Sequence, residues 1–215
     1  VQSNKEGNIA VSGKPSATNE SSLGAMVDGS PSRAYVASRA PEAGDAVTVT
    51  YPRQRFLYQV TILQEQQSQA KASIQVQSEN GDWKTVGKLS GSYTNVLVGE
   101  ETNKIRFVWE EDSPAPMIYE VIPKWGNSVT SADVMQELVE RLGADGEVEV
   151  QAVRSLKVHL TAVDRFEKQQ KAEKVIKHME SFKLLLDYQK ENELISRKAY
   201  NILKFGANAL IQEWQ

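Results

Sequence analysis

The chain has 215 residues, of which 40% are hydrophobic and 25% charged, with a net charge of −3 and no cysteine. That length has room for two cores of about 100 residues each, and the lack of cysteine excludes disulfides and thiol chemistry. The first 125 residues carry 12 basic and 14 acidic side chains and the rest 13 and 14, so neither half has the basic excess that a phosphate backbone requires; nucleic acid is not expected as a partner. No apolar run reaches the ~18 residues of a membrane span, and no signal peptide is visible, so membrane insertion is not expected either.

All seven prolines lie between Pro15 and Pro123. Proline lacks a backbone donor and clashes inside helices, so it gathers at turns and sheet edges. Apolar residues alternate through Val47, Val49 and Tyr51, and again through Phe56–Leu63, Ile74 and Val76. An Asn80-Gly81-Asp82 turn then leads into Trp83-Lys84-Thr85-Val86. Ile105, Phe107 and Trp109 continue the alternation, and a last strand covers Met117–Ile122. Short strands at this spacing, with no crossover helices, predict an all-β antiparallel sandwich over residues 1–125.

After Trp125 the period changes to three and four residues. Ser131 caps a first helix with Val134, Leu138 and Leu142 on one face and Gly143 as its stop. A second starts near Gly146 or Glu147, with Val153, Leu156, Leu160, Val163 and Phe166. A third carries Ala172, Val175, Met179, Phe182 and Leu186. Ser196 caps a fourth, with Ile195 placed to staple onto Tyr200 and a face of Ile202, Leu203, Leu210 and Trp214. Short connections predict an all-α antiparallel bundle over residues 126–215.

Two resemblances follow from particular residues. Asn8-Ile9-Ala10, Ala25-Met26-Val27-Asp28-Gly29-Ser30-Pro31, Gly44-Asp45-Ala46-Val47-Thr48-Val49, Asp82-Trp83-Lys84-Thr85-Val86-Gly87 and Pro116-Met117-Ile118-Tyr119-Glu120-Val121 resemble, in order and spacing, a discoidin-type (coagulation factor type C) jelly roll. The ending is most similar to the family 32 carbohydrate-binding modules attached to bacterial secreted glycosidases that act on N-acetylhexosamine glycans. Lys177 through Asp187 and Leu194 through Lys204 resemble the FIMAH-type helical domain of Gram-positive exported enzymes, a family that implies location in large secreted or cell-surface proteins but no chemistry. The chain begins at Val1 without methionine, which reads as a piece excised from a longer protein.

The first resemblance implies a calcium site under the Asp-Gly loop. This chain keeps Asp28 and Glu120 but places Arg33 where a ligating hydroxyl belongs. Calcium takes six to eight oxygens and a guanidinium supplies none, so the expectation is that Arg33 replaces the ion by forking between the carboxylates, with no cofactor. The alternative has Arg33 in solvent and a metal held by fewer ligands. The resemblance also implies a glycan site on the loops at one end of the sandwich, here Tyr35–Arg39, Gln64–Gln69 and Glu110–Pro116. Tyr35 and Trp109 are the stacking candidates, Gln64, Gln66 and Gln69 the amides, and Arg39 and Asp112 the charged groups. Each has a plainer alternative: a solvated Gln-rich turn, a core Trp109 in phase with Phe107, a buried Tyr35.

Nothing signals catalysis. His159 and His178 lack a second ligand at zinc spacing, no nucleophile elbow or phosphate-cradling loop is present, and Glu110-Glu111-Asp112 would need a deep cleft to act on a glycosidic bond. The sequence therefore predicts a non-catalytic accessory region of a secreted glycoside hydrolase that binds glycan containing N-acetylglucosamine or galactose. Its partners would be that glycan and the parent catalytic domain. The rival is a purely structural module packed on the catalytic domain.

Overall fold

A computed structural model describes residues 8–12, 25–27, 34–36, 40–65, 72–111, 114, 116–126 and 131–215. The chain divides into two compact units, Val1–Gly126 and Asn127–Gln215. The first is all β and the second all α, the class change that the prolines and the shift of period foretold.

Among the described residues seven antiparallel strands form one sheet: β1 (Asn8–Ser12), β2 (Tyr35–Val36), β3 (Ala46–Gln64), β4 (Ser73–Gln77), β5 (Trp83–Lys88), β6 (Tyr93–Val108) and β7 (Met117–Trp125). The two runs 47–51 and 56–63 are not separate strands but one strand of 19 residues. Its pairing with β6 slips between Thr50 and Arg55. Pro52 lies inside that slip; it has no N–H to give the ladder, and an irregularity of this kind bends a strand. Side chains hold the corner instead. Asn103 Nδ2 donates to the Tyr51 carbonyl at 3.2 Å, and Thr102 Oγ1 to the Gln77 carbonyl at 2.7 Å.

The bend lets β3 and β6 serve two layers. Residues 46–50 of β3 pair with β1 and with 104–108 of β6, which continues into β4 and β5. Residues 57–64 of β3 pair with β7, which carries β2, and with the first half of β6. Val47, Val49, Ile74, Val76, Ile105 and Phe107 from one layer share a single buried cluster with Leu57, Val60, Ile62, Val98, Ile118 and Val121 from the other. That is a sandwich folded from a continuous sheet. At Gly87 the layers meet so closely that a Cβ would lie 2.7 Å from Val96 Cγ2.

The helical unit contains α1 (Ala132–Ala144), α2 (Val150–Lys168), α3 (Ala172–Glu191) and α4 (Arg197–Trp214). Two of the expected ends differ. Gly143 lies inside α1, packed on Val153, and the residue that turns the chain out of the helix is Gly146, with φ at 76°. α2 begins at Val150, because Glu147 is still closing α1 through its N–H to the Leu142 carbonyl. Val134 is exposed; Ala132, Met135, Leu138, Val139 and Leu142 form the buried stripe of α1.

The two hairpins repeat each other. An antiparallel bridge joins Val148 to Ile195, equivalent positions in the two interhelical loops. Stepping by that same interval, buried Met135, Val139, Ala152, Leu156 and Val163 fall on buried Phe182, Leu186, Ala199, Leu203 and Leu210. The Glu140–Lys157 ion pair falls on Asp187–Lys204, and the Gly143–Val153 contact on Lys190, whose ammonium sits 4.1 Å from the Tyr200 ring centre. Both loops close with the same backbone bonds. The unit is a helical hairpin built twice, with its loops paired.

Candidate functional site

The residues singled out from the sequence do not assemble into one site among those described. Tyr35 and Trp109 are both 0% exposed and belong to the sandwich core. Contrary to the stacking role expected of them, neither offers a ring face to a sugar. The reason is register: Trp109 follows Ile105 and Phe107 on the inward side of the alternation, and its backbone N–H reaches the Asp45 carbonyl at 3.0 Å. Gln64 is also buried, at 2% exposure, and its Nε2 donates to the Gly91 carbonyl at 2.6 Å. That amide fastens the end of β3 to the β5–β6 loop and is not available to a ligand. Arg39, Gln66, Gln69 and Asp112 lie outside the described residues, as do Asp28 and Arg33.

Glu120 is buried, at 2% exposure. It lies near enough to Tyr51 to help hold that phenol above its ordinary range, after burial itself, while Arg55 opposes the shift. Among the described residues no cluster of three metal-ligating side chains occurs.

One end of the sandwich holds an open cleft of about 400 Å³, within the ~300–1,000 Å³ range typical of small-ligand sites. Its floor is Ala72 and buried Leu89, and its walls carry Ser73, Lys88, Ser90, Glu110 and Glu111. Leu89 N–H donates to the Ala72 carbonyl at 2.8 Å, which fixes the floor. Ser73 Oγ donates to Glu110 Oε1 at 2.8 Å and aims that carboxylate. The cleft combines a cation, two carboxylates and two hydroxyls, a set able to exchange hydrogen bonds with vicinal hydroxyl groups. It brings together the stretch after the Gln-rich loop and the 110–116 loop. Ser73, Lys88 and Ser90 carried no local signal, because only the pairing of β4 with β5 and β6 places them beside Glu110.

In the helical unit the histidines are occupied by backbone. His159 Nε2 bonds the His178 carbonyl at 2.7 Å, and His178 Nδ1 the Lys174 carbonyl at 3.0 Å. Glu167 joins three helices: its carboxylate accepts from Ala132 N–H at 2.9 Å and from Trp214 Nε1 at 3.2 Å. Burial raises its carboxyl above the usual range despite those two bonds.

Residues 132–212 match the FIMAH domain model. The paired hairpins just described are thus the architecture of a FIMAH domain. No curated protein sequence matches the chain. Among solved structures, the sandwich half is similar to a module of Clostridium perfringens, CpGH89CBM32-6. Identity is 17%, with 56% of this chain and 94% of that one covered and a TM-score of 0.46. A second C. perfringens module, CpGH89CBM32-4 in complex with GlcNAc-alpha-1,4-galactose, is 16% identical. It covers 59% of this chain and 94% of its own, at a TM-score of 0.45. Chitosan-binding module 1 of a chitosanase/glucanase from Paenibacillus sp. IK-5 is 14% identical, covering 55% and 95%, at 0.47.

Proposed function

We propose that the chain is a non-catalytic accessory region of a secreted or cell-surface bacterial glycoside hydrolase, in which the sandwich binds glycan and the FIMAH domain acts as spacer or interaction module. The observation that carries this reading is the end cleft, where Ser73, Lys88 and Glu110 line an open space of about 400 Å³. Arg39, Gln66, Gln69 and Asp112 are proposed as further sugar contacts. The expected sugar bears N-acetylglucosamine or galactose. Weak binding suffices for such a role: even millimolar affinity raises the effective concentration of a tethered catalytic domain on a polymer. In the same reading Arg33 takes the place of calcium between Asp28 and Glu120. A crystal grown with calcium that shows a well-occupied ion there would refute that part.

A specific observation favours the rival. The described lining of the cleft contains no aromatic side chain, and both expected stacking rings are in the core. A sandwich that merely packs on its catalytic domain needs no exposed ring. Titration calorimetry with N-acetylhexosamine and galactose oligosaccharides separates the two. Heat that Glu110→Gln and Gln66→Ala abolish supports binding; no heat, with tight association to a separately produced catalytic domain, supports the scaffold.

A further inference from the structure

The outer face of the layer formed by β3, β6, β4 and β5 carries a second arrangement, which meets the end cleft at Ser73 and Lys88. Val47, Val49, Ile74, Val76, Ile105 and Phe107 point into the core, so the alternate residues of these strands point outward. Register aligns Thr48, Arg106, Gln75 and Thr85 in one row across four strands. The neighbouring row aligns Thr50 with Lys104 and Gln77 with Trp83. Within the strands these outward positions carry Lys88, Lys104 and Arg106 and no Asp or Glu; Glu110, just beyond β6, is bonded to Ser73 at the cleft end.

Arg106 is held in place from two sides. Its guanidinium carbon lies 3.9 Å from the centre of the Trp83 ring, and its Nε donates to Gln75 Oε1 at 2.8 Å. Gln75 is itself fixed by donating through Nε2 to Thr85 Oγ1 at 3.1 Å. Both Nη groups are left without a partner among the described residues. A planar guanidinium fixed at Nε and through its face, with its outer N–H groups free, is a pre-formed fork for one carboxylate. Lys104, two residues along the same strand, stands about 7 Å away on the same face.

We propose that this face binds an acidic saccharide, with the carboxylate of a hexuronate residue held bidentate by Arg106 and Lys104 adding a second charged contact. Isolated cations spaced along a ladder fit carboxylates spaced along a sugar chain. They fit a nucleic-acid backbone poorly, since the unit's acidic side chains outnumber its basic ones. The choice of a saccharide over an acidic peptide rests on the glycan-binding reading above; the fork itself does not depend on the end cleft.

The test is calorimetric titration of the whole chain with oligogalacturonate at low and moderate salt. The controls are the carboxyl-reduced oligomer and oligoglutamate, with each variant's fold checked by thermal unfolding. The expected result is saturable binding of oligogalacturonate and none of the reduced oligomer. Arg106→Gln and Arg106→Lys should each weaken it roughly tenfold, because lysine keeps the charge but not the fork. Lys104→Gln should reduce the salt dependence. If Arg106→Gln does not fold, the lysine variant carries the test. Absence of binding, equal binding of oligoglutamate, or a folded Arg106→Lys variant with unchanged affinity would overturn the proposal. Binding of oligogalacturonate without binding of neutral N-acetylhexosamine glycans would sustain it while removing the end cleft from consideration.

Discussion

Truncation of Trp109 to alanine separates a core role from a ligand role. The ring is 0% exposed and sits in the cluster that joins the two sandwich layers. An aromatic of this size buries roughly 150–250 Å², worth about 4–6 kcal/mol at ~25 cal/mol per Å². Large-to-small changes of Trp or Phe in cores cost about 3–5 kcal/mol. Trp109→Ala is therefore expected to destabilise the sandwich by ~3–5 kcal/mol and to leave the helical transition unmoved. Trp109→Phe should be much milder. Nε1 has no hydrogen-bond partner among the described residues, so the smaller ring removes an unsatisfied donor, a gain of about 1–3 kcal/mol against the lost volume. Urea unfolding followed by tryptophan fluorescence and by far-ultraviolet dichroism reads the two units apart. A Trp109→Ala protein within about 1 kcal/mol of wild type, but unable to bind glycan, would refute the reasoning and return the ring to the ligand.

Ser196 Oγ accepts from Ala199 N–H at 3.0 Å, and Ser131 Oγ from Val134 N–H at 3.3 Å; Ser196→Ala should cost about 1 kcal/mol of helical stability and Ser131→Ala less, measured by urea unfolding. Asp187 is held below the usual carboxylate range, first by Lys204 and then by Tyr200. Its contribution is present above the ordinary aspartate range and lost as pH falls through the depressed value, so Asp187→Asn should flatten the acid limb of the helical unit's stability curve. Glu167 has the opposite sign. Its carboxyl is raised by burial, so its stabilising protonation is complete below the ordinary glutamate range and lost as pH rises through the raised value; Glu167→Gln should remove that dependence, while placing an amide donor against Ala132 N–H or Trp214 Nε1 at a cost of about 1–3 kcal/mol.

Much of the fold was written in local pattern. The prolines and the two hydrophobic periods located the change from strand to helix, and the alternation through Ile105, Phe107 and Trp109 already placed all three rings and chains on one side. The errors arose where one residue type serves two ends. Gly143 looked like a helix stop, but it is a packing glycine under Val153, and Gly146 supplies the left-handed turn. The runs 47–51 and 56–63 looked like separate strands, yet the chain continues through Pro52 as one, with Asn103 bonding the adjacent Tyr51 carbonyl. The repeat of the helical hairpin leaves little trace in the sequence because it lives in burial and ion pairs rather than in identities: Glu140–Lys157 against Asp187–Lys204, Val153 against Tyr200. The cleft and the Arg106 fork were illegible for a different reason. Ser73 meets Glu110, and Trp83 meets Arg106, only through the registers of β4 with β5 and β6, which are non-local and leave no trace in either segment alone.

The glycan-binding reading is tested most directly by titrating the intact chain with N-acetylglucosamine- and galactose-containing oligosaccharides, alongside its Glu110→Gln variant. Saturable heat from at least one oligosaccharide, lost in a variant that still unfolds cooperatively, is the predicted result. Silence from every oligosaccharide, or heat that Glu110→Gln leaves unchanged, would contradict the assignment of the cleft at the sandwich end.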